Sequence, residues 1–412
     1  MAARRLPVGR AVPAGHGHAR RAGGGPPSAA HPVRSLTAHP ETTGRPFPRT
    51  LACWRQYPYN RYIVQQRWAS KGLRAVKFGL AIMNDFPQGT IAADRVGELR
   101  EQVSFARECG IDSIWLLHHY LGSMPTLQPV PTLAALAQQA EGMHIGTNMF
   151  ILPLHHPVQV AETFATLDHL SGGRAIAGFG MGYRENEFAA FGIPLDERVS
   201  RYTESVEIIR ALWSGEPVTY AGKHYSLDDA RISLPPVQQG GPPIWVGAGM
   251  HKTGARRAAQ LGDAWIVPPH ASLAKLAELV QVERAERARL GRPLNGEVVV
   301  RRELVLDRDR ERARERGIRA RLGVTQQYAK YNAPDATAQY RHLQNEAAAA
   351  EVADEAYLFT DPATCVAKLR ELEEAGVTTV ILRAQWYDLP HEDMLATLKL
   401  FADEVLPALG QR

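Results

Sequence analysis

Residues 144–192 read HIGTNMFILPLHHPVQVAETFATLDHLSGGRAIAGFGMGYRENEFAAFG. Ile145 to Pro153 is an apolar run of strand length that ends at a proline. Pro157 then suits the first turn of a helix, and Val158, Ala161, Phe164, Ala165 and Leu167 fall on a helical stripe. Ser171-Gly172-Gly173 stops that helix, and Arg174 to Phe179 reads as a second short buried strand. It opens into the turn Gly178-Phe179-Gly180-Met181-Gly182, whose glycines let backbone approach a ligand at the strand's carboxyl end. Strand, helix and strand within about forty residues make a βαβ unit, which predicts two parallel neighbours with both faces covered.

Outward from this unit the alternation continues in both directions. Val76 to Met83 reads as strand one, and Asp94 is expected to cap a helix that reaches Cys109 and stops at Gly110. Asp112 to Leu117 reads as strand two, and Pro131 to Glu141 as a helix; the opening stretch then supplies strands three and four. After a helix over Arg198–Trp213 comes an inserted hairpin, Val218 to Ser233, with Gly222 at its turn. Pro243–Gly249, Asp263–Pro268, Glu297–Leu306 and Thr378–Ala384 complete the strands, and Gly254–Leu261, Ser272–Leu290, Asp361–Ala375 and Glu392–Leu409 are helical. Eight strands alternating with helices predict an α/β fold of the (β/α)₈ TIM-barrel type; an open doubly wound sheet is the alternative, and the count of eight argues against it.

In such a barrel the chemistry sits at the carboxyl-terminal rim. That rule selects Asn84 and Asp85 after strand one, His118, His119 and Tyr120 after strand two, and Asn148 and Met149 in strand three. It adds Met181, Gly182 and Tyr183 after strand four and Gly247, Gly249, Met250, Lys252 and Thr253 after strand five. Arg383, Gln385 and Trp386 end strand eight. Polar and aromatic groups converging on one rim suit a planar cofactor. A histidine can move a proton near neutral pH, and of two adjacent strand-end histidines only one faces the mouth. Gly247-Ala248-Gly249-Met250 followed by a helix start at Lys252-Thr253 suits an anion such as a phosphate.

Five separated elements occur in order: GT with an apolar strand, P..HP, LD.LS.GR, the glycine-rich turn and EF..FG. In these the chain resembles the bacterial luciferase-like flavin monooxygenases, over about Val76 to about Leu409. The resemblance implies reduced FMN as cofactor, delivered by a separate flavin reductase, with O₂ and a small organic molecule as substrates, and a homodimer. A deazaflavin coenzyme and hydride transfer without O₂ are the alternative, and a flavin-binding protein without turnover is a third reading. Aligned without a gap from Trp115, the family's functional histidine becomes His119, and His118 stands where the family carries an acidic residue. Asn148-Met149 is the place of a non-prolyl cis peptide under the flavin ring. The resemblance puts the flavin phosphate at the loop and helix after strand five, and Arg198 and Arg201 in the family's R..R place. Two departures stand out. Gly180 occupies the place of the luciferase reactive cysteine, and Met181 replaces an arginine of the same turn. A lid is implied over Gly323 to Asp354.

The net charge of +5 divides unevenly among the 412 residues. Residues 1–75 hold thirteen Lys and Arg against one acid, Glu41, which leaves the remaining body at −7. This Arg-, Pro- and Gly-rich leader has no apolar periodicity and is expected to be disordered, although Trp54, Tyr57, Tyr59, Tyr62 and Trp68 could dock. A nucleic-acid arm, a transit peptide and an extension without a role are its possible readings, and the last is the expectation. The Arg- and Glu-rich run from Arg308 to Arg321 has the spacing of a solvated helix with side-chain pairs, so no nucleic-acid partner is expected. No apolar run reaches 18 residues, which excludes a membrane-spanning helix. Cys53, Cys109 and Cys365 are widely spaced and lack metal-ligand spacing, so no metal site and a reduced, cytoplasmic setting are expected.

Overall fold

The computed structural model describes residues 76–122, 124–269, 271–330, 346–386 and 389–411, with backbone alone over 323–330 and 346–349. The leader therefore lies outside the described residues, as do residues 331–345 of the expected lid.

Eight parallel strands close on themselves: β1 (Lys77–Ile82), β2 (Ser113–Leu116), β3 (His144–Thr147), β5 (Ala175–Gly180), β8 (Ile244–Gly247), β9 (Ala264–Val267), β10 (Glu297–Leu306) and β12 (Thr379–Arg383). Closure comes from β12 pairing with β1, Lys77 opposite Thr379 and Leu80 opposite Leu382. The helices that alternate with them include α1 (Ala92–Glu108), α2 (Pro129–Leu136), α3 (Pro157–Leu170), α4 (Glu185–Ala190), α5 (Arg198–Trp213), α6 (Lys252–Leu261) and α7 (Leu273–Arg289). The predicted barrel is present, and the inserted hairpin is β6 (Val218–Ala221) against β7 (Ser226–Ala230).

Period-2 alternation sorts each strand into an outer face under the helices and an inner face in the barrel. Trp115, Ile176, Trp245, Ala264, Ile266, Val299 and Ile381 form the inner cluster, while their neighbours Leu116, Ala177, Val246, Trp265, Val300 and Leu382 join the large outer core. Trp115 fills the barrel centre, stacked on Trp245 with centroids 4.6 Å apart. Its indole requires Gly79 and Gly146, because a Cβ at either would overlap the ring.

Several expectations are corrected. The cap of α1 is Ile91, and Asp94 sits inside the first turn, where an acid still complements the helix dipole. The strand read over 145–153 divides into β3 and the short β4 (Phe150–Ile151), followed by a 3₁₀ turn. The helix expected over 131–141 starts two residues earlier and ends at Leu136, since Pro129 suits the first turn. The charged helix continues past Arg321 as α8 (Arg310–Lys330), and it is followed by α9 (Glu346–Ala356). A further strand, β11 (Leu358–Thr360), pairs with the upper part of β10, so its partner lies beyond the barrel ring. After α10 (Pro362–Glu374), capped by Asp361, the closing helix α11 (His391–Leu400) passes through a π-turn at Phe401–Val405.

Candidate active site at the barrel mouth

The mouth is floored by Met149. The peptide Asn148–Met149 is cis, as the resemblance implied, and Met149 packs against the inner cluster. Gly180 on β5 and Gly247 on β8 make this possible: a Cβ on Gly180 would stand 3.1 Å from the Met149 Cβ, and one on Gly247 would overlap its Cε. Beside it the Nδ2 amide of Asn148 is buried without a hydrogen-bond partner among the described residues. A flat thioether floor with one unsatisfied amide suits the underside of a planar ring with polar edges.

His119 reaches the mouth from the β2 side, on the same strand face as Trp115. Its Nδ1 stands 3.1 Å from Glu187 Oε1, which also accepts from the Tyr120 backbone N–H at 2.8 Å. Glu187 is fully buried and comes from α4, which the glycine-rich turn leads into. The carboxylate therefore holds the proton of His119 on Nδ1 and makes Nε2 the basic nitrogen. Burial pushes the His119 pKa down, and the bond to Glu187 opposes this only in part. The Tyr183 ring meets His119 edge-on at 5.9 Å.

His118 points the other way. It stacks on Phe150, its Nδ1 accepts from the Ile151 N–H at 3.1 Å, and only 2% of it is exposed. Burial, with help from His155, lowers its pKa to about 3. It therefore stays neutral and braces β4; the structure does not bring it to the mouth. Asn84 is likewise structural, since its amide clamps Leu117 and Leu127. Gln385 hydrogen-bonds Gln102 of α1, and Trp386 packs with Phe359, so neither lines the floor.

At the far end, α6 follows the Gly247–Gly249 loop. Its cap is His251, whose Nδ1 accepts from the Gly254 N–H at 2.9 Å, while Lys252 and Thr253 are exposed. Arg257, farther along the same helix, reaches back to the glycine-rich turn and lies 3.5 Å from Met181 Sδ. Burial holds the Arg257 guanidinium below its usual value, and repulsion from Arg198 adds to this. Arg198 at the start of α5 donates to Leu195 O. Arg201 is turned elsewhere: it pairs with Glu197 at 2.9 Å and lies over Tyr225 of the hairpin. Gly182 has φ +72, and a Cβ there would stand 2.7 Å from Ile151 and Phe188, so it serves packing as well as the turn. Met250 is half-buried against the outer core.

The luciferase-like monooxygenase family profile matches residues 76–379. The chain belongs to this family. It is 28% identical over 324 residues, 76% of this chain and 94% of the relative, to an F420-dependent glucose-6-phosphate dehydrogenase of Amycolatopsis mediterranei. It is 32% identical over 203 residues, 48% of this chain and 54% of the relative, to 4-hydroxyprotoasukamycin monooxygenase of Streptomyces nodosus subsp. asukaensis. Among solved structures, monooxygenase RslO1 from Streptomyces bottropensis superposes with a TM-score of 0.71 at 24% identity, over 81% of this chain and 99% of that one. Luciferase-like relatives thus include both deazaflavin-dependent dehydrogenases and monooxygenases.

The residues at this luciferase-like mouth fit a flavin-type cofactor on the β3–β5–β8 side. Met149 would support the ring, the orphaned Asn148 amide would bond its edge, and Arg257, Arg198 and the start of α6 would hold an anionic tail. The opposite side, β10 and β12, is charged. Glu303 is fully buried, 3.2 Å from Arg301 and 3.8 Å from Arg321, and opposite Arg383 in register. Burial alone would raise the Glu303 carboxyl, and the three arginines bring it below the ordinary range. Glu187, Arg257, Arg301 and Glu303 were not selected from sequence. The signal for the last two is the alternation Val299, Arg301, Glu303 inside an otherwise apolar strand; for Arg257 it is a position one helical turn beyond Thr253. Among the described residues no His, Cys, Asp or Glu cluster suits a metal, and no helix is long and apolar enough to cross a membrane.

Proposed function

We propose that this chain is a flavin-dependent monooxygenase that takes reduced FMN and O₂ and oxygenates a small organic substrate. The observation that carries the reading is Arg257, which reaches from α6 to the glycine-rich turn, 3.5 Å from Met181 Sδ, with Arg198 near enough to repel it. Two neighbouring guanidiniums suit a terminal phosphate dianion, which FMN has, better than an internal phosphodiester. In this reading a separate reductase supplies the reduced flavin, and two copies of the chain form a dimer.

Bound reduced FMN supplies the two electrons that activate O₂; one oxygen atom goes to the substrate and the other leaves as water. The protein's residues do the rest. Met149 and Asn148 fix the ring, and the buried walls around them keep bulk water from the mouth. His119, neutral because burial lowers its pKa, accepts or returns a proton at Nε2 while Glu187 keeps Nδ1 protonated.

A second reading, a deazaflavin-dependent dehydrogenase, is supported by the relative aligned over 94% of its length. Anaerobic titration of the full chain with reduced FMN and with reduced F420 separates the two. The first reading expects FMN to bind, O₂ to be consumed, and Arg257→Ala to weaken FMN by about 10–100-fold, the loss of a charge-assisted contact. Binding of F420 with no binding of FMN would establish the second reading instead.

A further inference from the structure

The cofactor seat on the β3–β5–β8 side leaves the β10–β12 half of the mouth to the substrate. Val299, Arg301 and Glu303 alternate on one face of β10, and Val299 packs inside the barrel beside Ile381. Arg301 and Glu303 therefore stand above the Trp115–Trp245 layer, on the ligand side. Arg301 Nη2 donates to Glu303 Oε1 at 3.2 Å. The second oxygen, Oε2, is buried without a hydrogen-bond partner among the described residues, and so is Arg301 Nε. Two orphans of opposite kind thus lie on one ion pair at the mouth: an acceptor that needs a donor, and a donor that needs an acceptor.

Leaving both atoms unsatisfied under an apolar ligand is costly, because each loses water and gains no hydrogen bond of its own. A single substrate answers both if it carries a donor beside an acceptor, and a hydroxyl beside another oxygen is the most compact such pair. We infer that the substrate bears a vicinal diol or an α-hydroxy-carbonyl group, with its hydroxyl donating to Glu303 Oε2 and its neighbouring oxygen accepting from Arg301 Nε. Alkanes, terpenes and long-chain aldehydes lack that pair of groups and are disfavoured. The inference rests on the proposed cofactor seat, which assigns this half of the mouth to the substrate.

The test uses the full chain loaded with whichever cofactor binds, with cofactor occupancy followed by its own absorbance. Binding of 2-hydroxycyclohexanone, cyclohexanone and decanal is titrated by ligand-observed NMR. The hydroxy-ketone is expected to bind about tenfold or more tightly than cyclohexanone, since a site built for a hydroxyl rejects the analogue without it. That preference should fall severalfold in Arg301→Lys, which keeps a cation for Glu303 but loses the Nε donor, and in the near-isosteric Glu303→Gln. Cofactor occupancy and melting temperature should stay close to the parent in the lysine variant. Equal binding of the two ketones, tighter binding of decanal, no binding of any probe to loaded enzyme, or a preference that survives in both variants would overturn the inference. Failure of both cofactors to bind would instead remove the functional reading beneath it.

Discussion

His118 and His119 carry the same side chain, one residue apart, in opposite surroundings. His119 joins Glu187 at the mouth, whereas His118 stacks on Phe150 and bonds the Ile151 N–H. Replacing His119 with Ala is expected to cut turnover by about 10²–10⁴-fold, the usual share of a general acid–base group, while changing cofactor affinity little. His118→Ala should cost turnover less and stability more. Measuring turnover, cofactor dissociation constants and melting temperature for both checks this; a larger turnover loss in His118→Ala would move the proton-handling role one residue back. The buried imidazoles also set a pH dependence. Burial lowers His118 to about 3 and His155 to about 4, from an ordinary 6.5. Below about pH 6.5 the unfolded chain binds protons that the folded chain refuses, so stability is full above that pH and declines as pH falls towards 4. Each group adds a slope of up to about 1.4 kcal/mol per pH unit. His118→Asn, which keeps an acceptor for Ile151 but does not titrate, should flatten the decline in melting temperature between pH 6.5 and 4.5. An unchanged slope would mean that other groups govern acid stability.

At the scale of elements, the centre of the barrel depends on what strands β1 and β3 lack. Gly79 and Gly146 admit the Trp115 indole, which is buried, bonded through Nε1 to Ser113 and stacked on Trp245. Gly146→Ala should therefore cost about 1–3 kcal/mol by overpacking a rigid ring, a fall of several degrees in melting temperature. A thermal scan with tryptophan emission reads both the loss and the displaced indole; a variant as stable as the parent would show that the barrel centre yields. Such dependences explain what the sequence discloses and what it hides. The strands are legible because their apolar runs are short and bounded, and α5 is legible to its ends because Val206, Ile209 and Leu212 mark its inner face. The break between β3 and β4 is hidden because no glycine or proline interrupts Thr147 to Leu152, and only the resemblance placed a cis bond there. The pairing of His119 was hidden too: Glu187 is the acid of the EF..FG element, but it lies in a short helix distant in sequence from His119 and adjacent only in the fold. The resemblance put Arg201 in the R..R place beside Arg198, but Glu197 one helical turn earlier pairs with it.

At the scale of the whole molecule, charge divides the chain near residue 76. The first 75 residues hold a net +12, and the remainder holds −7 out of the total of +5. The family match opens at residue 76, and the barrel needs nothing upstream to close. Both edges of β1 are already paired, one with β12 and the other with β2, so no further strand can join there. Its entry is secured from the far end of the chain, where the Gln411 side chain donates to Val76 O at 2.9 Å. Deleting residues 1–75 is therefore expected to leave melting temperature and cofactor affinity unchanged, while turning a basic protein into an acidic one. Ion exchange near pH 7 checks the second point: the truncated chain should bind an anion exchanger that the full chain does not, because exposed net charge governs such binding. Calorimetry on the two proteins checks the first. A large drop in melting temperature on truncation would mean that the aromatic segment from Trp54 to Trp68 packs on the barrel, and a loss of cofactor binding would mean that it reaches the mouth.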